Sequence, residues 1–599
     1  AKQDHLAITY LRSTNARDAL RSLNDLFETT ARVLGAGHAP IAPDAGRRRT
    51  LDLLTGGRFP RGVLVIVDNY ESLRADEQER IASFLFEELP YPCQALITSR
   101  HEELLLTVYS HVLPIKVNLE RMSGDDAAAC LDYFLSLQSP PIVTSAAMKE
   151  HIITVADRIP LAMLWLLGQL RYSPRSQAET LTELLEQRGG TSAILNYIFD
   201  HSYALLDDQP EARMALHALT AFTAPAAFEP LVAAAALPAA AVERGLLLLQ
   251  QLSLVIREEG DEPRYDLLEL TRGYLHSRLD TNQRQEILYR AATYYAEHGT
   301  DSDRTNIIPL LEWAIEREQH ELVLALFDIL TKEQFAKSDT QMRDCATYGA
   351  DVVQAARALG LEQCADWYEI FAICWLQIVR GELTAAQVAL QRLLERAQQY
   401  GWRDNFALAC STLGLLFNDL GEDADAAGHD ATALYETAAA YLRQAAALWE
   451  DGQRNDWLAI VMGRLGTVAR QLGDYDRALD YYTWTEMLYD SLGNDAGRAS
   501  ALGRRGYTLS RRYQAHGEGD PQEIERLLLE ALRLSEQIGS RWGMAANSLR
   551  YAEFLEIRNE PARALTYAEH AHALFTTIPD PGRAQQASTI ITRLQAGNR

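Results

Sequence analysis

The sequence predicts a mostly helical protein with a partial α/β domain at its amino end, a small helical segment closed by a hairpin, and a helical-repeat solenoid. Three observations support this fold class. Apolar strand-like runs alternate with helical stretches up to about residue 120, one hairpin pattern occurs near residue 260, and almost every later segment is helical. A chain of 599 residues is also too long for one hydrophobic core. The predicted domains are 1–120, 121–193, 194–282 and 283–599.

The predicted domain 1–120 has the pattern of a parallel sheet with crossover helices. Strand-like runs occur at Leu6–Leu11, Val63–Val67 and Ala95–Thr98, and helical stretches occur at Asn15–Leu34 and Asp76–Glu88. Val63–Val67 is apolar at every position, which is typical of a central strand buried on both faces. We expect the strand that ends near Thr98 to be buried as well.

Short helices follow the sheet, and the sequence predicts them at Asp125–Gln138, Met148–Ala156 and Leu161–Leu170. Ser123 is a plausible N-cap of the first, with Asp126 three positions later completing a weak capping-box pattern. Further helices are predicted at Ile194–Leu206, Pro210–Ala221, Phe228–Ala234 and Ala239–Gln251. Two strand-like pieces follow them, Leu254–Arg257 and Arg264–Leu267, and this combination predicts a winged helix.

Beyond residue 282, similar helix pairs recur, as in Trp457–Leu472 and Tyr475–Leu492 around the turn Gly473-Asp474. Comparable predicted helices start at Leu413-Gly414, Leu465-Gly466 and Arg505-Gly506, and the first two are further apart than the last two. We attribute the longer interval to a surface loop at 422–431. The pattern predicts degenerate TPR-like repeats that bury their apolar faces on one another, and the alternative is a nonrepetitive helical bundle.

The charge and composition limit the classes of function. A net charge of −25, spread over the chain, would repel nucleic acid and disfavours that partner. The sequence contains no apolar run of the roughly 18 residues that a membrane span needs, so we expect no membrane partner. Its six cysteines are scattered without a C-x-x-C pair, which favours incidental thiols in a reducing cytoplasm.

Three features of the amino-terminal part of the chain suggest nucleotide chemistry. Asp68 ends a predicted central strand, at the rim where α/β sheets bind ligands, and could hold a Mg²⁺-bound water; the alternative is a helix N-cap. Arg100 ends the next strand, where a guanidinium could contact a γ-phosphate, or could simply pair with Glu102 or Glu103. Pro160 begins a helix, which alone indicates only helix initiation.

Together and in this order, these features resemble the NB-ARC family of STAND ATPases. Asp68-Asn69 matches the Walker B position, Thr98-Ser99-Arg100 the sensor-1 position, and Ile159-Pro160-Leu161-Ala162 the Gly-Leu-Pro-Leu-Ala motif, whose proline lies against adenine in that family. Leu267-Leu268-Glu269 is similar to the bacterial form of the Met-His-Asp motif in the winged helix. The resemblance covers roughly residues 1–282.

The chain departs from this family at three points. No G-x-x-x-x-G-K-[ST] phosphate loop occurs, and we expect it to precede Ala1 in the intact protein. Asn69 stands where faster ATPases carry an acidic base, and an amide cannot accept a proton from water. Leu268 replaces a histidine that contacts the ADP phosphates in relatives. Slow hydrolysis is therefore expected in the full-length protein, and none from this chain alone.

The resemblance implies a cytoplasmic bacterial signalling protein that uses ATP or ADP with Mg²⁺, with a TPR array that binds a protein or peptide trigger, and a homo-oligomer as its active state. It assigns catalytic positions to Asp68 and Asn69, Mg²⁺ binding to Asp68, and nucleotide contacts to Arg100, Pro160, Leu161 and Glu269. Two alternatives remain. One is a nucleotide-free TPR scaffold, and the other is a transcriptional regulator resembling the maltose-activator type.

Two arginine pairs in the array, Arg504-Arg505 and Arg511-Arg512, are interpreted as ordinary solvated faces, with an acidic partner as the alternative. Aromatic residues such as Tyr482 and Trp484 are expected mostly in the core, with a minority on the concave surface where solenoids hold peptides.

Overall fold

We describe the fold from a computed structural model. The described residues are 7–12, 26, 50, 51, 54, 55, 62–68, 70, 75–99, 117, 119, 121–137, 142, 144–172, 191–258, 260, 262–332, 339–538, 540–576 and 581–597. The helix predicted at Asn15–Leu34 lies outside them, apart from Leu26.

Three parallel strands form the amino-terminal sheet in the order β1-β2-β3, with β1 at Ala7–Arg12, β2 at Val63–Asp68 and β3 at Gln94–Ile97. The predicted parallel sheet is confirmed. Helix α1, Ala75–Ser83, continues into a π-helical turn, Phe84–Glu88. Its apolar side chains pack with Val63, Val65 and Val67 of β2, the residues whose apolar run marked the central strand.

The expectation that the third strand is buried is wrong. Gln94, Ala95 and Leu96 are exposed, and Leu96 keeps 49% of its accessible surface. Among the described strands, β3 lies at the edge of the sheet, with hydrogen bonds to β2 on one side. An apolar run alone does not distinguish an edge strand from a central one.

Helices α2, Gly124–Ser136, α3, Ala146–Val155, and α4, Pro160–Tyr172, follow the sheet. The predicted cap of α2 is present, because Ser123 Oγ accepts from Asp126 N–H at 3.1 Å and donates to the Asp126 carboxylate at 2.7 Å.

The next segment contains the predicted four helices and hairpin. They are α5 Thr191–Ala204, α6 Pro210–Ala218 with a 3₁₀ turn Leu219–Ala221, α7 Phe228–Ala235, α8 Ala239–Gln251, β4 Val255–Glu258, β5 Arg264–Leu267 and α9 Glu269–Arg278. Strands β4 and β5 are antiparallel, with Val255 opposite Leu267. We call residues 191–278 the hairpin module, and its assignment as a winged helix stays a prediction.

A long series of helices completes the described chain. They are α10 Thr281–His298, α11 Arg304–Glu316, α12 His320–Lys332, α13 Asp339–Ala358, α14 Glu362–Tyr368, α15 Trp375–Val379, α16 Leu383–Tyr400, α17 Arg403–Ala426, α18 Thr432–Asp451, α19 Asn455–Gln471, α20 Tyr475–Ser491, α21 Asp495–His516, α22 Pro521–Gln537, α23 Arg541–Ile557, α24 Pro561–Phe575 and α25 Pro581–Gly597. A π-helical segment, Glu369–Cys374, joins α14 to α15.

The predicted turn between α19 and α20 has a clear local cause. Gly473 adopts φ +78°, a left-handed conformation that ends α19. Asp474 then caps α20, since its carboxylate accepts from Arg477 N–H at 3.2 Å. Successive helices pack as neighbours along the array, as TPR-like pairs require.

The surface loop predicted at 422–431 is wrong in its first half, because α17 continues to Ala426. The ring of Tyr435 lies so close to Gly421 that a Cβ there would stand 2.5 Å from Tyr435 Cε1. The Tyr435 hydroxyl also donates to Asp425 at 2.7 Å. Packing from α18 therefore keeps a polar, acidic stretch helical.

One apolar core runs from Ala127 in α2 to Ala372, and so joins the helices after the sheet, the hairpin module and the first array helices. Asn306 of α11 strengthens the junction. Its side-chain oxygen is buried and accepts from the backbone N–H groups of Thr223 and Ala224 at 3.0 and 2.9 Å. The predicted boundary near residue 282 is thus crossed by continuous packing.

Among the described helices, none is by itself long and apolar enough to cross a membrane. The bent pair α7 and α8 meets the criterion only when its two helices are taken together.

Candidate functional site

The carboxyl edge of the sheet holds the first group of predicted site residues. Asp68 is the last residue of β2. The segments after β2 and β3 are joined there, because Tyr70 N–H donates to Thr98 O at 3.0 Å and Thr98 N–H donates to Val67 O at 2.9 Å. The structure therefore places Asp68 at the same edge as Thr98 and Ser99, as the parallel topology predicts.

The remaining nucleotide assignments are not tested by the described residues. Asn69 and Arg100 lie outside them, as do the side chains of Asp68 and Glu269. Glu269 begins α9, directly after Leu268. Within the described part of the chain, no group of three or more His, Cys, Asp or Glu residues could hold a metal ion. The Mg²⁺ role of Asp68 stays a prediction.

Pro160 and Leu161 form the first turn of α4. Pro160 is exposed, whereas Leu161 is half-buried against the long apolar core. The turn before them has φ of +52° at Asp157 and +60° at Arg158, and the Asp157 carboxylate pairs with Arg121 at 2.7 Å. The ion pair holds a left-handed turn in front of the helix, and the contact of Pro160 and Leu161 with a nucleotide stays a prediction.

The array contains a second site that the motifs did not indicate. A cavity of about 380 Å³ lies between its helices, within the size range of small-molecule sites. Alternate helices, α17, α19, α21, α23 and α25, supply most of its lining, and α18 and α20 contribute one tyrosine each. We call this cavity the channel.

The tyrosine from α20 is held by close helix packing. Tyr482 is 1% exposed, and its ring lies against Gly466, where an added Cβ would stand 2.8 Å from Cε1. Its hydroxyl is 3.0 Å from Thr467 Oγ1. Thus Tyr482 belongs to the core, as expected, and also borders the channel, while Trp484 on the same helix is 38% exposed.

The channel is rich in positive charge although the chain is strongly acidic. Five arginines line it, namely Arg470, Arg504, Arg511, Arg550 and Arg583, whereas three carboxylates do, namely Glu422, Asp425 and Glu553. Asp425 and Glu422 are already engaged as acceptors, from Tyr435 and Gln471 respectively. The lining therefore carries an excess of positive charge in a chain of net charge −25.

Three of the guanidinium groups in this region bond to neutral acceptors. Arg550 Nη1 donates to Asn547 Oδ1 at 2.7 Å, and Arg504 Nη1 donates to the Gly463 carbonyl at 3.1 Å. Beside the channel, Arg464 Nη1 donates to the Ser411 carbonyl at 2.8 Å. Between the described residues, no ion pair within 4.0 Å involves Arg464, Arg504 or Arg550.

The surroundings of these groups disfavour their charge. Burial, followed by repulsion from Arg504 and Arg583, lowers the pKa of Arg550 to about 9. Burial likewise lowers the pKa of Arg464 to about 10, although attraction to Asp419 opposes the change. Both groups remain charged at neutral pH, so the surroundings leave their charge incompletely compensated.

Glu553 lies near three of the channel arginines. Burial raises its pKa, while a hydrogen bond from Tyr507 and the nearby Arg511, Arg470 and Arg550 oppose the rise. The guanidinium of Arg470 also lies over the Tyr507 ring, with its Cζ atom 5.1 Å from the ring centroid.

The interpretation of the arginine pairs as ordinary solvated faces is wrong for Arg504 and Arg505, which are half-buried, and agrees with the exposure of Arg511. Arg505 binds Glu486 at 2.5 Å, and Arg512 binds Asp476 at 2.9 Å, whereas their neighbours Arg504 and Arg511 line the channel. The spacing of the repeats could have indicated that Arg504 differs from Arg505. The shift that aligns Leu465-Gly466 with Arg505-Gly506 also aligns Arg464 with Arg504.

Comparison with known proteins gives the fold a precedent. No family model and no curated protein matches the chain. Among solved structures, it is similar to a Signal Transduction ATPase with Numerous Domains (STAND) protein with a tetratricopeptide repeat sensor from Pyrococcus horikoshii, with a TM-score of 0.56 and 16% identity over 97% of this chain and 79% of that one. This likeness shows a shared fold.

Two further matches are weaker. BtubC from P. vanneervenii has a TM-score of 0.31 and 17% identity over 40% of this chain and 93% of its own. Aspartyl phosphate phosphatase F from Bacillus subtilis has a TM-score of 0.24 and 10% identity over 81% of this chain and 97% of its own.

Proposed function

We propose that this chain is the regulatory and sensing portion of a STAND signal-transduction ATPase. The observation that carries the proposal is the similarity of fold along 97% of the chain to a STAND protein with a tetratricopeptide repeat sensor. In this proposal ADP and ATP stabilise two different states of the full-length protein. A ligand or protein trigger on the array favours the ATP state, and that state forms a homo-oligomer.

The sheet edge is the proposed nucleotide side. Asp68, with Thr98 and Ser99 at the same edge, offers the oxygen donors that Mg²⁺ prefers. A bound Mg²⁺-nucleotide would supply the phosphate whose hydrolysis resets the switch. Asn69 would orient water without accepting its proton, and Arg100 would contact the terminal phosphate. Pro160, Leu161 and Glu269 would close over the base and the inner phosphates.

The long apolar core supports the coupling step. It packs α4, which begins at Pro160, into the same core as the hairpin module and α10 to α14. A displacement of α4 on nucleotide exchange would therefore be transmitted through packed helices, because close-packed interiors deform little. The trigger site on the array and the nucleotide side would then influence the same equilibrium.

Nucleotide content tests the proposal. The full-length protein is purified and denatured, and its supernatant is chromatographed for ADP and ATP. We expect about one nucleotide per chain, because a switch of this kind retains its ligand tightly. A supernatant free of nucleotide, from protein with an intact phosphate loop, would instead favour the nucleotide-free TPR scaffold.

A further inference from the structure

Two channel arginines, Arg504 and Arg550, differ from three other partly buried arginines of the array. Arg505 faces Glu486 at 2.5 Å, Arg304 faces the buried Asp344, and Arg396 faces Asp366 at 2.9 Å. A guanidinium removed from bulk water normally has such a partner, since an uncompensated buried charge is costly. Arg504 and Arg550 donate only to neutral oxygen atoms within the described structure.

These groups come from different repeats yet lie close together. Arg550 Nη1 would be 3.0 Å from a Cβ at Gly503, the residue next to Arg504, although Arg550 belongs to α23 and Gly503 to α21. Arg504 in turn reaches back to α19, where it contacts Gly463. Three alternate helices therefore converge on one volume that holds the cationic groups.

The shape of the volume favours a compact ligand. At about 380 Å³ the channel is at the small end of the usual range for ligand sites, and aromatic rings of Tyr435, Tyr482 and Tyr507 line it beside the arginines. Guanidinium groups have the fork geometry that matches phosphate oxygens in pairs. A ligand with two or more negative charges would compensate the excess positive charge of the lining.

We propose that the channel is a binding site for a small phosphate-bearing molecule, held by Arg504 and Arg550 with Arg470, Arg511 and Arg583 around them. This proposal rests on the proposed function, because it names the chemical class of the ligand that the array senses. The aromatic rings would contact the uncharged part of the ligand, and the arginines would bind its phosphates.

Calorimetric titration of the 599-residue chain with inorganic pyrophosphate tests the site. We expect saturable binding that weakens as sodium chloride is added, because screening reduces the attraction between charges. Arg504→Gln and Arg550→Gln should each weaken binding about tenfold or more, the usual effect of losing a charge-assisted contact. Arg512→Gln is the matched control, since Arg512 lies on the channel helix α21 but pairs with Asp476 and Glu518, and it should bind like the parent.

The outcomes separate the possibilities. Parent-like binding by both channel variants, or equal loss in Arg512→Gln, would overturn the site. Tighter binding of citrate than of pyrophosphate would replace phosphate by carboxylate as the ligand class, and so overturn the proposal as stated. Circular dichroism of each variant checks that it is folded, and Arg504→Lys provides a second variant that keeps the charge and should retain part of the affinity.

Failure here and failure of the proposed function are distinguishable. If the full-length protein contains nucleotide but the channel does not bind pyrophosphate, the proposed ligand class is wrong and the proposed nucleotide switch is retained. If the protein carries no nucleotide but binds pyrophosphate in a way that depends on Arg504 and Arg550, the channel is a ligand site and the proposed nucleotide switch is wrong.

Discussion

Arg272 of the hairpin module and Arg550 of the channel are both at least half-buried, but they differ in their hydrogen-bond partners. Arg272 of the module is 7% exposed; it donates to the carbonyls of Phe222 and Leu219 at 2.6 and 3.3 Å and to the Asp266 carboxylate at 2.8 Å. Arg550 of the channel is half-buried and donates to one neutral side chain, Asn547. A fully partnered arginine supports the fold, whereas an incompletely compensated one is available for a ligand.

The largest expected effect is at Arg272. Arg272→Gln should destabilise the module by about 3 kcal/mol, because it leaves the Asp266 carboxylate without its buried partner and weakens the contacts to two buried carbonyls. Hydrogen exchange of α9 amides measures the change as a lower free energy of local opening. Exchange that is unchanged from the parent would mean that Arg272 does not support the fold. The proposed difference between Arg272 and Arg550 would then be wrong.

A smaller effect should appear as a pH dependence in the same module. His217 is 8% exposed, and burial, followed by repulsion from Arg213, lowers its pKa to about 4. Its ring nitrogen Nε2 lies 2.7 Å from the Tyr203 hydroxyl. The pKa is lower in the folded than in the unfolded state, so between pH 6.5 and 4 the unfolded state binds the extra proton. The contribution of neutral His217 to stability is therefore fully present above pH 6.5 and is lost as the pH falls toward 4.

At pH 5 the expected loss relative to pH 7 is about 2 kcal/mol, from about 1.4 kcal/mol for each unit of pKa difference. Hydrogen exchange of α6 amides at the two pH values measures it. His217→Gln removes this titrating group, so its exchange should lose about 2 kcal/mol of the pH dependence. The part due to His276 of α9 should remain, because burial lowers the pKa of that group to about 4 as well. An equally steep dependence in that variant would assign the effect to another group. The module thus keeps His217 uncharged at neutral pH, while the channel holds several charged arginines.

The sequence predicted the features that depend on neighbours along the chain. The Ser123 cap, the Gly473-Asp474 turn and the position of Asp68 at the end of β2 all follow from spacing within a short stretch of sequence. The helical array was equally predictable, because burying one face of each helix requires a periodic apolar pattern.

Features that depend on distant packing were not predicted. Asp425 stays in a helix because Tyr435 packs against it from α18. Strand β3 is exposed because it lies at the edge among the described strands, and a short apolar run does not encode that position. Arg504 and Arg505 are adjacent in sequence, yet one faces the channel and the other Glu486, since the phase of α21 against α19 and α23 decides the direction of each. The channel depends on the packing of helices from three repeats, which no local pattern in the sequence specifies.

The smallest effect on stability should come from the same substitution at the channel. Arg550→Gln keeps an amide that can reach Asn547 and removes repulsion from Arg504 and Arg583. The free energy of local opening, measured by hydrogen exchange of α23 amides, should therefore change by less than about 1 kcal/mol. Pyrophosphate, by contrast, should slow exchange in α21 and α23 of the parent, since a ligand that binds only the folded state stabilises it. It should do much less in the variant. A loss at Arg550→Gln as large as at Arg272→Gln would show that Arg550 supports the fold, and the distinction between the two regions would then be wrong.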